Sequence, residues 1–171
     1  MCEKKTFYFV RELTERDRSW VQRVIYQRWG DDVVIVHGVV YHPSELAGFA
    51  AFEVNGLRVV GLVTYVIRQD ACEIVTLDSL VERQGIGTHL VAAVHQRAEQ
   101  AGCHRLWLVT TNDNLNALRF YQKYGFCLAA LYKEAVVKAR QIKPSIPMTG
   151  ESGIPIRDEI ELEIELVKPA E

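Results

Sequence analysis

The sequence has few cysteines, no long apolar run and little net charge, and each shortage argues against a class of protein. Its 171 residues include four cysteines, none of them in a Cys-x-x-Cys pair: Cys2, Cys72, Cys103 and Cys127. A reduced, cytoplasmic setting is therefore expected rather than a disulfide framework. The N-terminal stretch lacks the apolar core of a signal peptide, and no run reaches the ~20 apolar residues of a membrane helix.

Charge and histidine content argue against two further classes. The formal net charge is −2, which gives no electrostatic case for a nucleic-acid partner or an acidic membrane surface. The five histidines show no metal-ligand spacing with cysteines or carboxylates, so no metal site is expected. Apolar residues make up 49% of the chain, which is enough for a core, and the length fits a single domain over residues 1–171.

The first half of the chain reads as a strand, a helix and a three-stranded meander. "KTFYFVREL" predicts a strand, and Thr14 can cap a helix that runs to about Trp29. Residues 31–47 could form a strand or an ordered loop. Asn55-Gly56 between two apolar runs predicts a β-hairpin. A turn near residues 68–71 then leads to a third strand, "CEIVTLDSLV".

The second half alternates helices with strands. A helix is predicted over residues 88–101, then the strand "HRLWLVTT", the helix "NDNLNALRFYQKY" and the strand "FCLAALY". Residues 133–156 read as a variable loop or a short helix. The last strand, "DEIELEIELV", alternates strictly, so its glutamates are expected to face solvent: Glu159, Glu161, Glu163 and Glu165. This order predicts a mixed α/β fold whose mostly antiparallel central sheet has about six to seven strands and flanking helices.

The stretch "RQGIGTHL" places Gly85 and Gly87 between the third meander strand and a helix. A glycine-rich turn before a helix gathers free backbone N–H groups at the positive end of the helix dipole, which suits a phosphate or pyrophosphate. The same glycines could serve only to turn the chain. A Walker loop is excluded because no lysine follows Gly87, and a dinucleotide fingerprint is excluded because Leu90 stands where a third glycine is needed.

Two motifs together resemble a known family. "QGIGTHL" is similar to the acyl-CoA pyrophosphate loop, usually Q/R-x-x-G-x-G/A, of the GNAT superfamily, the GCN-five-related N-acetyltransferases. "NLNALRFYQKYGF" resembles that family's second signature, N-x-x-A-x-x-x-Y-x-x-x-G-F, and matches it at Asn114, Ala117, Tyr121, Gly125 and Phe126. The resemblance covers residues 5–132 and, with the last strand, most of the chain. It implies the GNAT-like acyl-CoA N-acyltransferase fold.

The resemblance also implies acetyl-CoA as a co-substrate and residues to hold it. Glu82 stands at the usual Arg/Gln position, so the basic residue of the loop is Arg83. Tyr121 matches the general acid that serves the CoA sulfur, although a packed core tyrosine is the alternative. Asn114 matches a residue that contacts the CoA arm, whereas Asn112 could cap the helix in its place. The pyrophosphate loop and the strand end expected to meet pantetheine comprise Ser79, Leu80, Val81, Arg83, Gln84, Gly85, Ile86, Gly87 and Thr88.

Two carboxylates are candidates for the general base. Several family members use a glutamate on the strand before the pyrophosphate loop, and the distance of Glu73 from Gly85 suits that role better than the distance of Asp78. The period of two places Glu73 and Asp78 on opposite faces unless a bulge intervenes, so only one is expected to face the site. A solvated strand carboxylate is the alternative for either residue.

The expected function is therefore direct transfer of an acetyl group from acetyl-CoA to a primary amine of a small molecule or peptide. The alternatives are a catalytically weak acyl-CoA-binding or sensing module and a structural protein whose glycines only turn the chain. A homodimer is possible for each of these functions. Likeness of fold names no acceptor. The acceptor walls are expected from the first helix and from residues 30–47 and 133–156, which the motifs do not cover.

Overall fold

The computed structural model describes residues 7–54, 58–81, 83–150 and 152–166. The predicted Asn55-Gly56 turn and Glu82 lie outside these residues. The elements in chain order are β1 (Tyr8–Glu12), α1 (Arg18–Trp29), β2 (Val34–Val36), β3 (Val39–Tyr41), β4 (Ala47–Glu53), β5 (Val59–Arg68), β6 (Ala71–Ser79), α2 (Ile86–Gln100), β7 (Arg105–Thr111), α3 (Leu115–Tyr124), β8 (Cys127–Tyr132), α4 (Ala135–Ile142) and β9 (Glu159–Glu165).

Seven of these strands form one sheet in the order β1-β4-β5-β6-β7-β9-β8. Every pair is antiparallel except β6 and β7, which α2 joins as a crossover. The predicted mixed, mostly antiparallel α/β sheet is therefore confirmed. The stretch that the sequence left open, residues 31–47, contains β2 and β3, which pair as a separate hairpin. His37 and Gly38 turn that hairpin at positive φ values of 51° and 72°.

The strands β6 and β7 stay paired over only four residues. Their parallel register runs from Ala71 opposite Arg105 to Ile74 opposite Leu108. Beyond that point β6 continues along β5, and β7 continues along β9 as far as Thr111. Because each strand follows a different neighbour, the two separate and leave a wedge-shaped gap in the middle of the sheet.

A β-bulge at Val75 sets the faces of β6. Thr64 and Tyr65 of β5 are consecutive, yet they pair with Thr76 and Ile74, so Val75 is the extra residue. The bulge reverses the alternation that follows it. Glu73 and Asp78 consequently lie on the same face of the sheet, the face that α1 and the β2–β3 hairpin cover. The sequence placed these two carboxylates on opposite faces unless a bulge intervened, and this bulge is present.

Two helix starts and one strand face differ from the predictions. α1 begins at Arg18, after a 3₁₀ turn over Glu15–Asp17, and α2 begins at Ile86 rather than at residue 88. The solvent face predicted for β9 was wrong for two glutamates, since Glu159 is 4% exposed and Glu161 is 8% exposed. Alternation alone could not show that the hairpin turn and neighbouring side chains cover this end of the strand. None of the helices described is long and apolar enough to cross a bilayer.

Candidate active site

A cleft of about 310 Å³ occupies the gap between β6 and β7. Three residues predicted from the sequence line it: Asp78 from β6, Asn114 at the start of α3, and Tyr121 from the middle of α3. Arg28 and Trp29, at the end of α1, close one side of the cleft. The cleft thus brings Asp78 of β6 together with the signature residues of α3, because β6 and β7 separate after only four paired residues.

Asn114 is the N-cap of α3. Its side-chain Oδ1 accepts a hydrogen bond from the backbone N–H of Ala117 at 3.0 Å. The suggestion that Asn112 caps the helix was therefore wrong. Asn112 Oδ1 instead accepts from the backbone N–H groups of Arg157 and Asp158, each at 2.9 Å. Asn112 thereby ties the segment before β9 to the entrance of α3.

Tyr121 is buried at the floor of the cleft. It is 7% exposed, and its ring packs edge-on against Phe120 and Phe126. Burial, and then the nearby charge of Asp78, raise the pKa of Tyr121. The phenol therefore keeps its proton at neutral pH, which is the state that a proton donor requires.

The start of α2 presents unpaired backbone donors beside the cleft. Gly85 is the N-cap with φ 75°, and its carbonyl accepts the first helical hydrogen bond, from His89 N–H at 3.1 Å. The N–H groups of Ile86, Gly87 and Thr88 come before that bond and have no acceptor within the helix. They can hold an anion at the positive end of the helix dipole.

Gly87 packs closely against α3. A Cβ at Gly87 would lie 3.3 Å from the Phe120 ring, so a side chain here would press on the second turn of α3. The loop before α2 carries Arg83 at φ 57° and is held by Tyr8, whose hydroxyl donates to Gln84 O at 3.2 Å.

The strand end after the bulge offers only some of its backbone to the cleft. Leu80 N–H donates to Val60 O at 2.9 Å, so it points toward β5 and away from the gap. Alternate residues of a strand point their polar groups to opposite edges, which turns the backbone N–H of Ser79, the last residue of β6, away from β5. Leu80 is thus badly oriented for the pantetheine contact that was expected of it.

The two candidate bases have different surroundings. Asp78 is 6% exposed, and both of its oxygens accept hydrogen bonds, Oδ1 from Arg28 Nε at 3.3 Å and Oδ2 from Trp29 Nε1 at 3.0 Å. Glu73 is 3% exposed, and its Oε2 accepts from the Tyr41 hydroxyl at 2.7 Å. Burial raises the pKa of Glu73, while the Tyr41 hydrogen bond and the charges of Arg68 and His37 act against that rise.

The same face extends into a second group of buried carboxylates on β9. His37 Nδ1 lies 3.0 Å from Glu159 Oε2, and Tyr132 donates its hydroxyl proton to Glu161 Oε2 at 2.7 Å. Arg105 pairs with Glu161 as well. Across the described ranges, no group of histidine, cysteine and carboxylate ligands is arranged to hold a metal ion. The sequence carried no signal for these contacts, because they join positions far apart in the chain.

The comparison with known proteins agrees with this geometry. The model of the acetyltransferase (GNAT) family matches residues 4–126. YdhI of Bacillus subtilis (strain 168) is 46% identical over 134 residues, which are 78% of this chain and 83% of YdhI. The structure of an IAA acetyltransferase from Bacillus cereus ATCC 14579 aligns with a TM-score of 0.69 at 19% identity, covering 94% of this chain and 100% of that one.

A GNAT family acetyltransferase from Elizabethkingia anophelis, solved with acetyl-CoA bound, aligns with a TM-score of 0.64 at 22% identity, covering 93% of this chain and 98% of that one. At these identities the two solved structures show a shared fold, whereas the family match spans well over half of the present chain. The chain therefore belongs to the acetyltransferase (GNAT) family.

Proposed function

We propose that this protein is an N-acetyltransferase that moves an acetyl group from acetyl-CoA directly to a primary amine. The observation that carries the proposal is the cleft between β6 and β7, which gathers Tyr121, Asn114 and Asp78 beside the free N–H groups of α2. An anion site, a strand edge and a buried proton donor are the three things that a CoA thioester needs from a protein.

The residues of the cleft fit acetyl-CoA. The N–H groups of Ile86, Gly87 and Thr88 suit its pyrophosphate, with Arg83 and Gln84 in the preceding loop. The edge of β6 at Ser79, which faces away from β5, suits an amide of its pantetheine arm, as an extended ligand adds to a strand edge. The relative from Elizabethkingia anophelis holds acetyl-CoA in a structure of the same fold, which supports the assignment.

The proposed chemistry needs one base and one acid. Acetyl-CoA supplies the acetyl group as a thioester. The neutral amine nitrogen attacks the carbonyl carbon, and as the carbon–nitrogen bond forms Glu73 takes the proton that the nitrogen loses, through a water, since its carboxyl is only 3% exposed. The carbon–sulfur bond then breaks with its electron pair going to sulfur. Tyr121 donates its proton to that sulfur, leaving an amide and the free thiol of CoA.

We assign the base to Glu73 rather than Asp78 on the contacts of the two carboxylates. Both oxygens of Asp78 are hydrogen-bonded at the end of α1, to Arg28 and Trp29, so Asp78 anchors that helix over the cleft. Glu73 has the Tyr41 bond on Oε2, and its buried carboxyl has a raised pKa. A pKa nearer to neutrality is the property that a general base requires.

Calorimetric titration with acetyl-CoA, followed by thiol release in the presence of an amine panel, tests the proposal. The panel should include amino acids, polyamines, aminoglycosides and peptide N-termini. We expect saturable binding of acetyl-CoA and amine-dependent release of thiol with at least one class. Binding without turnover on every class would instead indicate a sensing module, and absence of binding would indicate a structural role for the glycines.

A further inference from the structure

The β2–β3 hairpin touches the proposed base through one side chain. Tyr41, the last residue of β3, is 5% exposed and donates its hydroxyl hydrogen to Glu73 Oε2 at 2.7 Å. The two residues are 32 positions apart in the chain. Among the described residues, the two strands of the hairpin pair with each other and with no strand of the large sheet. Backbone hydrogen bonding to the large sheet therefore does not explain the position of the hairpin over β6.

We propose that Tyr41 is the positioning residue of the general base. Its hydroxyl holds Glu73 Oε2, fixes the plane of the carboxylate and leaves Oε1 to receive the proton from the acceptor amine through water. This inference rests on the proposed function, because it concerns the base of that reaction. It adds a residue from a part of the chain that neither family motif covers.

Three charged or titratable groups act on Glu73 beside Tyr41, and a fourth, Cys72, is its neighbour in the chain. Arg68 from β5 and His37 from the hairpin turn favour the charged carboxylate, whereas Glu161 from β9 opposes it. The neighbouring Cys72 thiol is buried, and burial chiefly raises its pKa to about 12, so it stays neutral. Because Arg68 also lies 5.2 Å from the centre of the Tyr41 ring, cation and phenol approach the base from the same side.

Tyr41 remains a donor throughout the working range of pH. Burial, followed by the hydrogen bond to Glu73, raises the pKa of Tyr41 to about 12. A phenol that keeps its proton stabilises the ionised form of Glu73 and lowers the pKa of that carboxyl. Loss of the hydroxyl should therefore raise the pKa of Glu73, so that Glu73 stays protonated, and unable to accept a proton, up to a higher pH.

The decisive variant is Tyr41→Phe, measured by the pH dependence of kcat/KM on an amine found in the panel. A hydrogen bond to a charged group corresponds to a shift of about one pH unit. We expect the acidic limb to move to higher pH by about that amount, with kcat/KM recovering toward the wild-type value above it. Acetyl-CoA affinity should not change, because Tyr41 lies outside the cleft lining.

Tyr132→Phe is the matched control. Tyr132 donates to Glu161 Oε2 at the same distance, 2.7 Å, so this variant removes the same hydrogen bond from a carboxylate on the same face. It should leave the acidic limb where it is. An equal shift from both variants would mean general loosening of this face and would overturn the proposal.

Carboxyl ¹³C NMR titration of Glu73 gives a second readout that needs no turnover. A higher Glu73 pKa in Tyr41→Phe supports the inference, whereas an unchanged value overturns it. Glu73→Gln separates this outcome from failure of the base assignment. If Glu73→Gln leaves the acidic limb intact, Glu73 is not the base. If Glu73→Gln removes the limb but Tyr41→Phe does not move it, the base stands and the role of Tyr41 is wrong.

Discussion

The two faces of the seven-stranded sheet bury different kinds of side chain. The face under α2 and α3 packs an almost wholly apolar cluster, with members such as Val60, Leu90, Leu106 and Leu162 at 0% exposure. The face under α1 and the hairpin packs a smaller apolar cluster and also buries four carboxylates of the sheet strands: Glu73, Asp78, Glu159 and Glu161. Burying a charge is costly unless partners repay it. The carboxylate-rich face holds both candidate bases, whereas the proposed acid, Tyr121, belongs to the apolar cluster on the other face.

The acidic face is itself uneven. Burial raises the pKa of Glu73 and of Glu159. Burial acts in the same direction on Glu161, but hydrogen bonds from Tyr132 and Arg105 outweigh it and lower the pKa of Glu161. The pKa values of neighbouring carboxylates therefore shift in opposite directions, upward for Glu73 and Glu159 and downward for Glu161.

The largest effect is expected from Glu73→Gln compared with Asp78→Asn. General-base help is worth about 10²–10⁴-fold, so Glu73→Gln should depress kcat/KM by that order and abolish or shift the acidic limb of its pH profile. Asp78→Asn should keep the limb, because Asp78 serves to hold Arg28 and Trp29. Thiol-release assays across the pH range measure both variants. The reverse pattern would assign the role of general base to Asp78.

Leu162→Ala tests the apolar face. Leu162 is fully buried, and a leucine truncated in such a place costs about 3 kcal/mol of unfolding free energy. Urea denaturation should show this loss, while kcat/KM of the folded enzyme and its pH limbs stay close to wild type. Glu165→Gln, at an exposed position of the same strand, is the control. Its unfolding free energy should stay within about 0.5 kcal/mol of the wild-type value. A changed acidic limb in Leu162→Ala would show that the two faces are not independent.

Tyr121→Phe should slow turnover by about 10²-fold, the lower end of the range for general acids. The lower end is expected because a thiol with a pKa of about 8.5 is a fair leaving group without full protonation. The loss should fall on kcat, while the dissociation constant of acetyl-CoA stays the same, because the hydroxyl acts on charge that develops in the transition state. Rapid-quench measurement of a single turnover checks this, and a wild-type rate would mean that another group protonates the sulfur.

Gly87→Glu should weaken acetyl-CoA binding by at least about tenfold, or about 1.4 kcal/mol. The new side chain brings a negative charge to the helix N-terminus and bulk toward Phe120, whose ring would lie 3.3 Å from a Cβ at this position. Gly87→Ala separates the two effects, since it adds the Cβ without the charge. Calorimetry on variants with a wild-type circular dichroism spectrum measures both, and an unchanged affinity in folded Gly87→Glu would contradict the pyrophosphate assignment.

The smallest effect is expected in the pH dependence of stability at β9. The pKa of Glu159 is raised above its ordinary 4.5, so the folded state loses stability as pH rises above about that value. Glu159→Gln should therefore melt higher than wild type at pH 8, by roughly 2–4 °C at most, and no higher at pH 4. Glu161→Gln should melt lower at pH 8, because the pKa of Glu161 is lowered. Calorimetric melting at both pH values checks the two variants. A change of melting temperature in the same direction in both variants at pH 8 would contradict the opposite pKa shifts of Glu159 and Glu161.

The sequence by itself determined the order of the elements outside residues 31–47 and 133–156, together with the two motifs. Periodicity located the meander, α2, α3 and the last strand, because each is a local pattern of apolar residues that the sheet and its helices later bury. The spacing of Asn114, Ala117 and Tyr121 was informative for the same reason, since cap and helix face are set within three turns of chain. Gly85 and Gly87 marked the start of α2 because a turn of positive φ and a close approach need them.

Only the tertiary structure decided which carboxylates meet. The bulge at Val75, which turned Glu73 and Asp78 to one face, arises from the register against β5 and leaves no mark in the pattern of β6. The burial of Glu159 and Glu161 depends on the hairpin turn and on Arg105 and Tyr132, which lie at distant positions in the sequence. The local sequence pattern specifies which way a side chain points along its own strand. Its burial and its charged partners come from other strands and turns that pack against that strand. Burial and charged partners set the pKa of each carboxylate, on which the proposed chemistry depends.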